Sequence, residues 1–210
     1  RYKDQSFLLL MSDIPKKFLG SVFTITFWMP FSLGSWEQFE FCDWNTLPLI
    51  ASEKAGIIKN NIPVVIGEYT DETKAVFDAK AKERNAAIYF ASDLISENYP
   101  SALLGNYQIH NKKTVLQTIN VLRTQNQFVI EEDQIRNGLL KVIENTGLQG
   151  RWQQLQEHPK VICDTAHNAA GLKSVMDQLH QEQYKHLHIV LGVVNDKDLT
   201  GILPLFPQNA

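Results

Sequence analysis

The sequence predicts an α/β protein with mainly parallel sheets and flanking helices, and three observations carry that expectation. Short apolar runs recur at Pro63-Val-Val-Ile-Gly67, Ala87-Ile-Tyr-Phe90, Val161-Ile-Cys163 and His188-Ile-Val-Leu-Gly-Val-Val194. They are apolar throughout rather than alternating, as strands covered on both faces are. Between them lie longer segments with apolar residues at helical spacing, and strands alternating with helices of that length make βαβ units.

Each element has its own signal. Leu47, Ile50 and Ala51 share one face of a helix that ends near Gly56 and carries Lys54. Thr70-Asp-Glu-Thr73 opens the next helix with a capping residue and early acids, which complement the positive end of the helix dipole. Leu104-Gly-Asn-Tyr-Gln-Ile-His-Asn111 reads as a polar turn or short strand leading into a helix with Val115, Ile119 and Leu122 inward. Ile135, Leu139, Val142 and Ile143 mark one further helix, and Gly147-Leu-Gln-Gly-Arg151 is the expected hinge. After Val161–Cys163, the residues Leu172, Val175, Met176 and Leu179 form an apolar helical face against the same core. Asn195-Asp-Lys-Asp198 is a charged turn at the end of the last strand.

Composition narrows the function classes. With 210 residues, 44% hydrophobic and 20% charged, the chain can bury a sizeable core in one large or two modest domains. A formal net charge of -3 leaves no basic footprint for nucleic acid. Two cysteines, Cys42 and Cys163, make no disulfide framework, and a reducing, cytoplasmic setting is expected. The first residue is Arg1 and no secretory signal follows it, so the chain is read as a piece of a longer protein.

The opening 44 residues stand apart, with seven of the eleven phenylalanines, three of the four tryptophans and no charge from Phe18 to Trp36. That uncharged stretch approaches membrane-spanning length, but glycine, serine, threonine and proline dilute it, and no membrane role is expected.

The chain has no Walker-type phosphate loop, no C-x-x-C pair and no G-x-S-x-G elbow. Polar residues at element ends remain: Lys54, Asn111, Arg151, and the group Asp164, His167 and Asn168 in the loop after the Val161–Cys163 strand. Ligands in open α/β sheets bind at the carboxyl ends of strands, where that last group falls. Each has a plainer reading: Lys54 a surface helix lysine, Asn111 a helix cap, Arg151 a solvated hinge residue, and Asp164, Thr165 or Asn168 a helix cap. Spacing alone leaves both readings open.

A resemblance separates them. Asn45-Thr-Leu-Pro-Leu-Ile-Ala-Ser-Glu-Lys-Ala-Gly-Ile-Ile-Lys59, Pro63-Val-Val-Ile-Gly-Glu68, Gly105-Asn-Tyr-Gln108 with Asn111, Gly150-Arg151, Asp164-Thr-Ala-His-Asn168 and Asp196-Lys-Asp198 together resemble the folylpolyglutamate synthase/dihydrofolate synthase family of the Mur ligase superfamily. The resemblance implies three parts: an unmatched segment over 1–44, the second half of a central ATP-binding domain over 45–147, and the first half of a carboxyl-terminal ligase domain over 148–210. It implies an ATP-dependent ligase that joins L-glutamate to dihydropteroate or a folate through an acyl phosphate, acting as a monomer with Mg²⁺. By the same match, Lys54 is carbamylated and helps hold the metal, Asn111 meets the adenine, Arg151 contacts phosphate, Asp164 faces the ribose, and His167 lies near the phosphate and glutamate end. Lys54 and His167 are thus the expected catalytic residues. A peptidoglycan-precursor Mur ligase and a non-catalytic binding module with the same fold are the alternatives.

The chain also departs from the family pattern. Phe39 stands where the family has its metal-binding histidine, the phosphate-binding loop is missing, and Thr165 replaces a usual glycine. The isolated chain is therefore expected to be inactive. The abrupt edge before Asn45 is what a disrupted reading frame would produce, and residues 1–44 are expected to form little sheet.

Overall fold

A computed structural model describes residues 5–10 and 24–25 as backbone strands and residues 46–125, 129–193 and 199–208 in full. The expectations for Phe39, Cys42 and Asp196–Asp198 lie outside the described residues. The chain divides into two compact units, one from Arg1–Lys16, Tyr99–Gln108 and Glu132–Ala210, the other from Lys17–Asn98 and Ile109–Glu131.

The second of these units is built on a parallel sheet ordered β2 (Thr24–Ile25), β3 (Val64–Ile66), β4 (Ile88–Phe90). All three residues of β3 are buried, for a reason visible in their neighbours. Val64 and Ile66 pack with Ala51 and Ala55 of α1 (Leu47–Ala55) and with Phe77 and Ala81 of α2 (Asp71–Glu83). Val65 points the other way, to a cluster with Ala91 and Val121. An uninterrupted apolar run is what a strand covered on both faces requires.

Local chemistry sets the helix starts. Thr70 caps α2 in a reciprocal box with Thr73, each side chain accepting from the other's backbone N–H. After β4 come a one-turn helix, α3 (Ala91–Leu94), and then α4 (Gln108–Thr124). Asn111 lies inside the first turns of α4 and does not cap it, so the plainer reading of that residue is corrected. The inward face of α4 also differs from expectation: Thr114, Leu116, Gln117 and Val121 are buried, while Val115 is 43% exposed. Buried threonine and glutamine hid this face from an apolar-spacing argument; Thr114 satisfies its hydroxyl on the His110 carbonyl at 3.1 Å.

The first unit carries a four-stranded sheet ordered β5 (Gln153–Gln156), β6 (Lys160–Asp164), β1 (Gln5–Leu10), β7 (His186–Leu191). β1 runs parallel to both neighbours, and only the β5–β6 pair is antiparallel. The expectation of little sheet in residues 1–44 is therefore corrected at Gln5–Leu10, which takes an inner position; the aromatic stretch beyond it lies outside the described residues. β5 was not anticipated, because Gln-Gln-Leu-Gln has neither β-branched residues nor an apolar face. It is an edge strand held by its ladder to β6.

The single helix expected over 135–143 is two, α5 (Glu132–Leu140) and α6 (Val142–Thr146), the second closed by Gly147 at φ 67°. α7 (Ala169–Leu179) joins β6 to β7 and buries Leu172, Val175, Met176 and Leu179, as its spacing requires. β7 departs from the expected buried strand: Leu187 is buried but Val190 is 53% exposed. A short 3-10 turn follows at Leu203–Leu205. Among the described residues no helix is long and apolar enough to cross a membrane.

Two leucines distinguish core from surface. Leu172 is fully buried, and Leu172→Ala should cost about 2–5 kcal/mol. Leu47 was expected on a buried face but is 41% exposed, so Leu47→Ala should change stability by no more than about 0.5 kcal/mol. Urea unfolding of both variants checks the pair; a comparable loss in each would contradict these burials.

Candidate functional site

Three segments of the first unit meet at the carboxyl end of β6. Asp164, the last residue of that strand, is 2% exposed, and a carboxylate so buried must collect donors or pay for its lost hydration. It collects three. Oδ2 accepts from the Tyr107 hydroxyl at 2.8 Å and from the Trp152 N–H at 2.7 Å, and Oδ1 accepts from the Ala166 N–H at 2.8 Å.

Each donor belongs to a different turn. Trp152 sits in the left-handed region at φ 49°, a conformation costing a non-glycine residue about 1 kcal/mol or more, and its bond to Asp164 helps hold it there. Tyr107 belongs to the Gly105-Asn-Tyr-Gln turn, which α7 grips through a buried glutamine. Gln178 accepts the Asn106 N–H at 2.7 Å and donates to the Leu104 carbonyl at 3.1 Å. Gly105 has to be glycine for a steric reason: a Cβ there would lie 2.7 Å from Cε1 of Tyr107.

The hinge segment is stitched to the β6–α7 loop in the same way. Gln153 pairs with Cys163 in the β5–β6 ladder, so Trp152 falls opposite Asp164 and Arg151 opposite Thr165. The Thr165 N–H donates to the Gly150 carbonyl at 3.0 Å. Arg151 donates through Nη1 to that carbonyl at 3.1 Å and to the Thr165 hydroxyl. His167 is half-buried, with Nδ1 3.0 Å from the Thr165 carbonyl. A carbonyl only accepts, so Nδ1 carries the proton and Nε2 is left as the group a ligand would meet. Asn168 caps α7 by accepting the Gly171 N–H at 2.8 Å, so the capping reading holds for that residue.

The five expected site residues therefore fall in two groups. Arg151, Asp164 and His167 come together around the β6–α7 loop, while Lys54 on α1 and Asn111 on α4 belong to the other unit. Asp164 was expected in the loop after the strand; it is instead the buried last residue of the strand itself, where three donors replace its lost water. Lys54 is half-buried, and that burial lowers its pKa from 10.5. Tyr107 lies in the Gly105-Asn-Tyr-Gln108 motif, which by itself implies no role for it. The signal for it lay in pairing: a buried acid needs a donor, and an aromatic hydroxyl beside an obligatory glycine is a good one. Cys163 is buried and its thiol pKa is raised, first by desolvation and then by Asp164, in keeping with a small core hydrophobe.

A family model described as "Mur ligase, glutamate ligase domain" matches residues 150–209, starting at the stitched hinge. Folylpolyglutamate synthase of Lacticaseibacillus casei is 27% identical over 180 residues, covering 75% of this chain and 41% of that protein. Dihydrofolate synthase/folylpolyglutamate synthase of Bacillus subtilis is 28% identical over 183 residues, covering 76% and 41%. The chain is thus similar to part of the folylpolyglutamate synthases. The crystal structure of folylpolyglutamate synthase from Thermotoga maritima superposes with a TM-score of 0.62 at 26% identity, over 80% of this chain and 43% of that one. The chain shares that structure's α/β architecture, and it spans about two fifths of the length of the curated relatives it matches.

The Asp164 network has a pH signature. Burial is the largest influence and raises its pKa from 3.8, while the hydrogen bonds from Tyr107, Ala166 and Trp152 and the charge of Arg151 pull it back. A raised carboxyl pKa means the folded state holds the proton more tightly. That contribution to stability is complete below the unfolded value and is lost as pH rises through the folded one. The Tyr107 hydroxyl opposes the loss by stabilising the ionised form, and its own pKa is pushed far up, first by burial and then by the carboxylate. Tyr107→Phe should therefore cost about 1.5–3 kcal/mol near pH 7 and less below about pH 4, measured by urea unfolding at each pH. An equal loss at both values would mean the hydroxyl does not serve the carboxylate.

Proposed function

We propose that the chain is part of an ATP-dependent acid–amino-acid ligase that adds L-glutamate to dihydropteroate or a folate through an acyl phosphate. In this reading residues 45–147 are the second half of the central ATP-binding domain and 148–210 the first half of the carboxyl-terminal ligase domain. The enzyme works in the cytoplasm as a monomer. The observation that carries the reading is Arg151, a guanidinium tied at one nitrogen to Thr165 in the β6–α7 loop, the loop that also holds His167.

The residue types suit that chemistry. Phosphate transfer to a carboxylate concentrates negative charge on oxygens, and a planar guanidinium fork pairs with such oxygens two at a time. Arg151 uses Nη1 for the protein; among the described residues its Nε and Nη2 have no hydrogen-bond acceptor. His167 offers Nε2, an acceptor when neutral and a donor to an anion when protonated. Asp164 serves the nucleotide through the turns it fixes, and Asn111 on α4 meets the base. Lys54, half-buried with a lowered pKa, has more of the neutral amine that reacts with carbon dioxide to form a carbamate. Among the described residues no three histidine, cysteine or acidic side chains stand close enough to hold a metal ion. A carbamate on Lys54 would supply an anionic oxygen to a magnesium ion that arrives with the nucleotide.

Calorimetric titration of the chain with ADP tests this reading. Wild type should bind, and Arg151→Ala should weaken binding about tenfold or more, the scale of one lost charge-assisted pair. No binding by wild type, or equal binding by both, would overturn the nucleotide assignment.

A further inference from the structure

Thr165 stands where the family pattern has glycine, and its surroundings give that difference a use. We propose that Thr165 is a positioning residue that holds the Arg151 guanidinium in one orientation before an anionic oxygen ligand, such as the phosphates of a nucleoside diphosphate, arrives. The proposal rests on the reading that Arg151 contacts phosphate.

The hydroxyl of Thr165 acts in both directions. It donates to the Gly150 carbonyl at 3.1 Å and accepts from Nη1 of Arg151, while Nη1 also donates to that carbonyl. The guanidinium is thus tied at one corner by two acceptors belonging to opposite strands of an extended ladder. The threonine methyl fixes the third member. Gly150 has φ 68°, and a Cβ on it would lie 2.4 Å from Cγ2 of Thr165, so glycine at 150 and threonine at 165 are a matched pair. Glycine at 165 would keep the backbone bond to Gly150, but it would lose both hydroxyl contacts and leave space over Gly150. Arginine has among the largest rotamer freedoms to lose on binding, and ordering it beforehand removes that cost from the binding step.

The hydroxyl and the methyl separate in two substitutions. Thr165→Val keeps the shape and loses the hydroxyl; Thr165→Ser keeps the hydroxyl and loses the methyl. Thr165→Gly restores the family residue. The first measurement needs no ligand: ¹⁵N NMR of the arginine side chains reports rotation about Cζ–Nη. Arg151 should show resolved, slowly exchanging Nη signals in wild type and Thr165→Ser, and averaged signals in Thr165→Val and Thr165→Gly. The second is ADP affinity, expected to fall about tenfold in Thr165→Val and Thr165→Gly and to be recovered by Thr165→Ser.

Unchanged Arg151 signals in Thr165→Val would overturn the tether whatever the nucleotide result. Loss of those signals with wild-type ADP affinity, while Arg151→Ala still weakens binding, would overturn the role in positioning. Unchanged affinity in Arg151→Ala would instead overturn the phosphate reading on which this one rests, and the NMR signals would still decide the tether itself.

Discussion

A carboxylate buried at the end of a strand is the constraint on which this site depends. Ionised and alone, Asp164 would cost several kcal/mol, so the fold must bring donors to it. The donors come from the Tyr107 turn, the Trp152 hinge and the strand's own loop at Ala166. Removing any one segment leaves a buried charge short of a partner, which makes the three positions interdependent. Gly105 and Gly150 follow from the same requirement. Each lies where a Cβ would collide with a neighbouring side chain, Tyr107 in one case and Thr165 in the other.

This constraint connects stability to function. The hinge that Asp164 fixes through Trp152 is the one that presents Arg151, and the loop it starts presents His167 with Nδ1 committed to the Thr165 carbonyl. The groups proposed to meet phosphate are thus oriented by bonds made within the protein, and such ordering lowers the cost of binding. The turn that supplies Tyr107 also leads directly into α4, the helix that carries Asn111.

Much of the fold was legible because it followed one-dimensional rules. β3, β4 and β6 announced themselves as apolar runs, the α2 start as a capping sequence, and the inner face of α7 as Leu172, Val175, Met176 and Leu179. What escaped was set by tertiary partners. β5 is a glutamine-rich strand that exists by pairing with β6, and Val115 and Val190 are apolar residues turned outward. Gln178, within the apolar face of α7, is buried because a turn more than seventy positions earlier in the chain presents it with a donor and an acceptor. The site shows the same division. Resemblance singles out Arg151, Asp164 and His167 as candidates, but the burial of Asp164 and the partnership with Tyr107 depend on a contact between distant segments.

The most direct measurement is a ¹³C NMR titration of the Asp164 side-chain carboxyl in wild type and Tyr107→Phe. A carboxyl buried and held by donors should titrate above 3.8 in wild type and higher still once the Tyr107 hydroxyl is gone. Titration at or below the ordinary value, with no response to loss of that hydroxyl, would contradict the buried carboxylate as the point to which the three segments are tied.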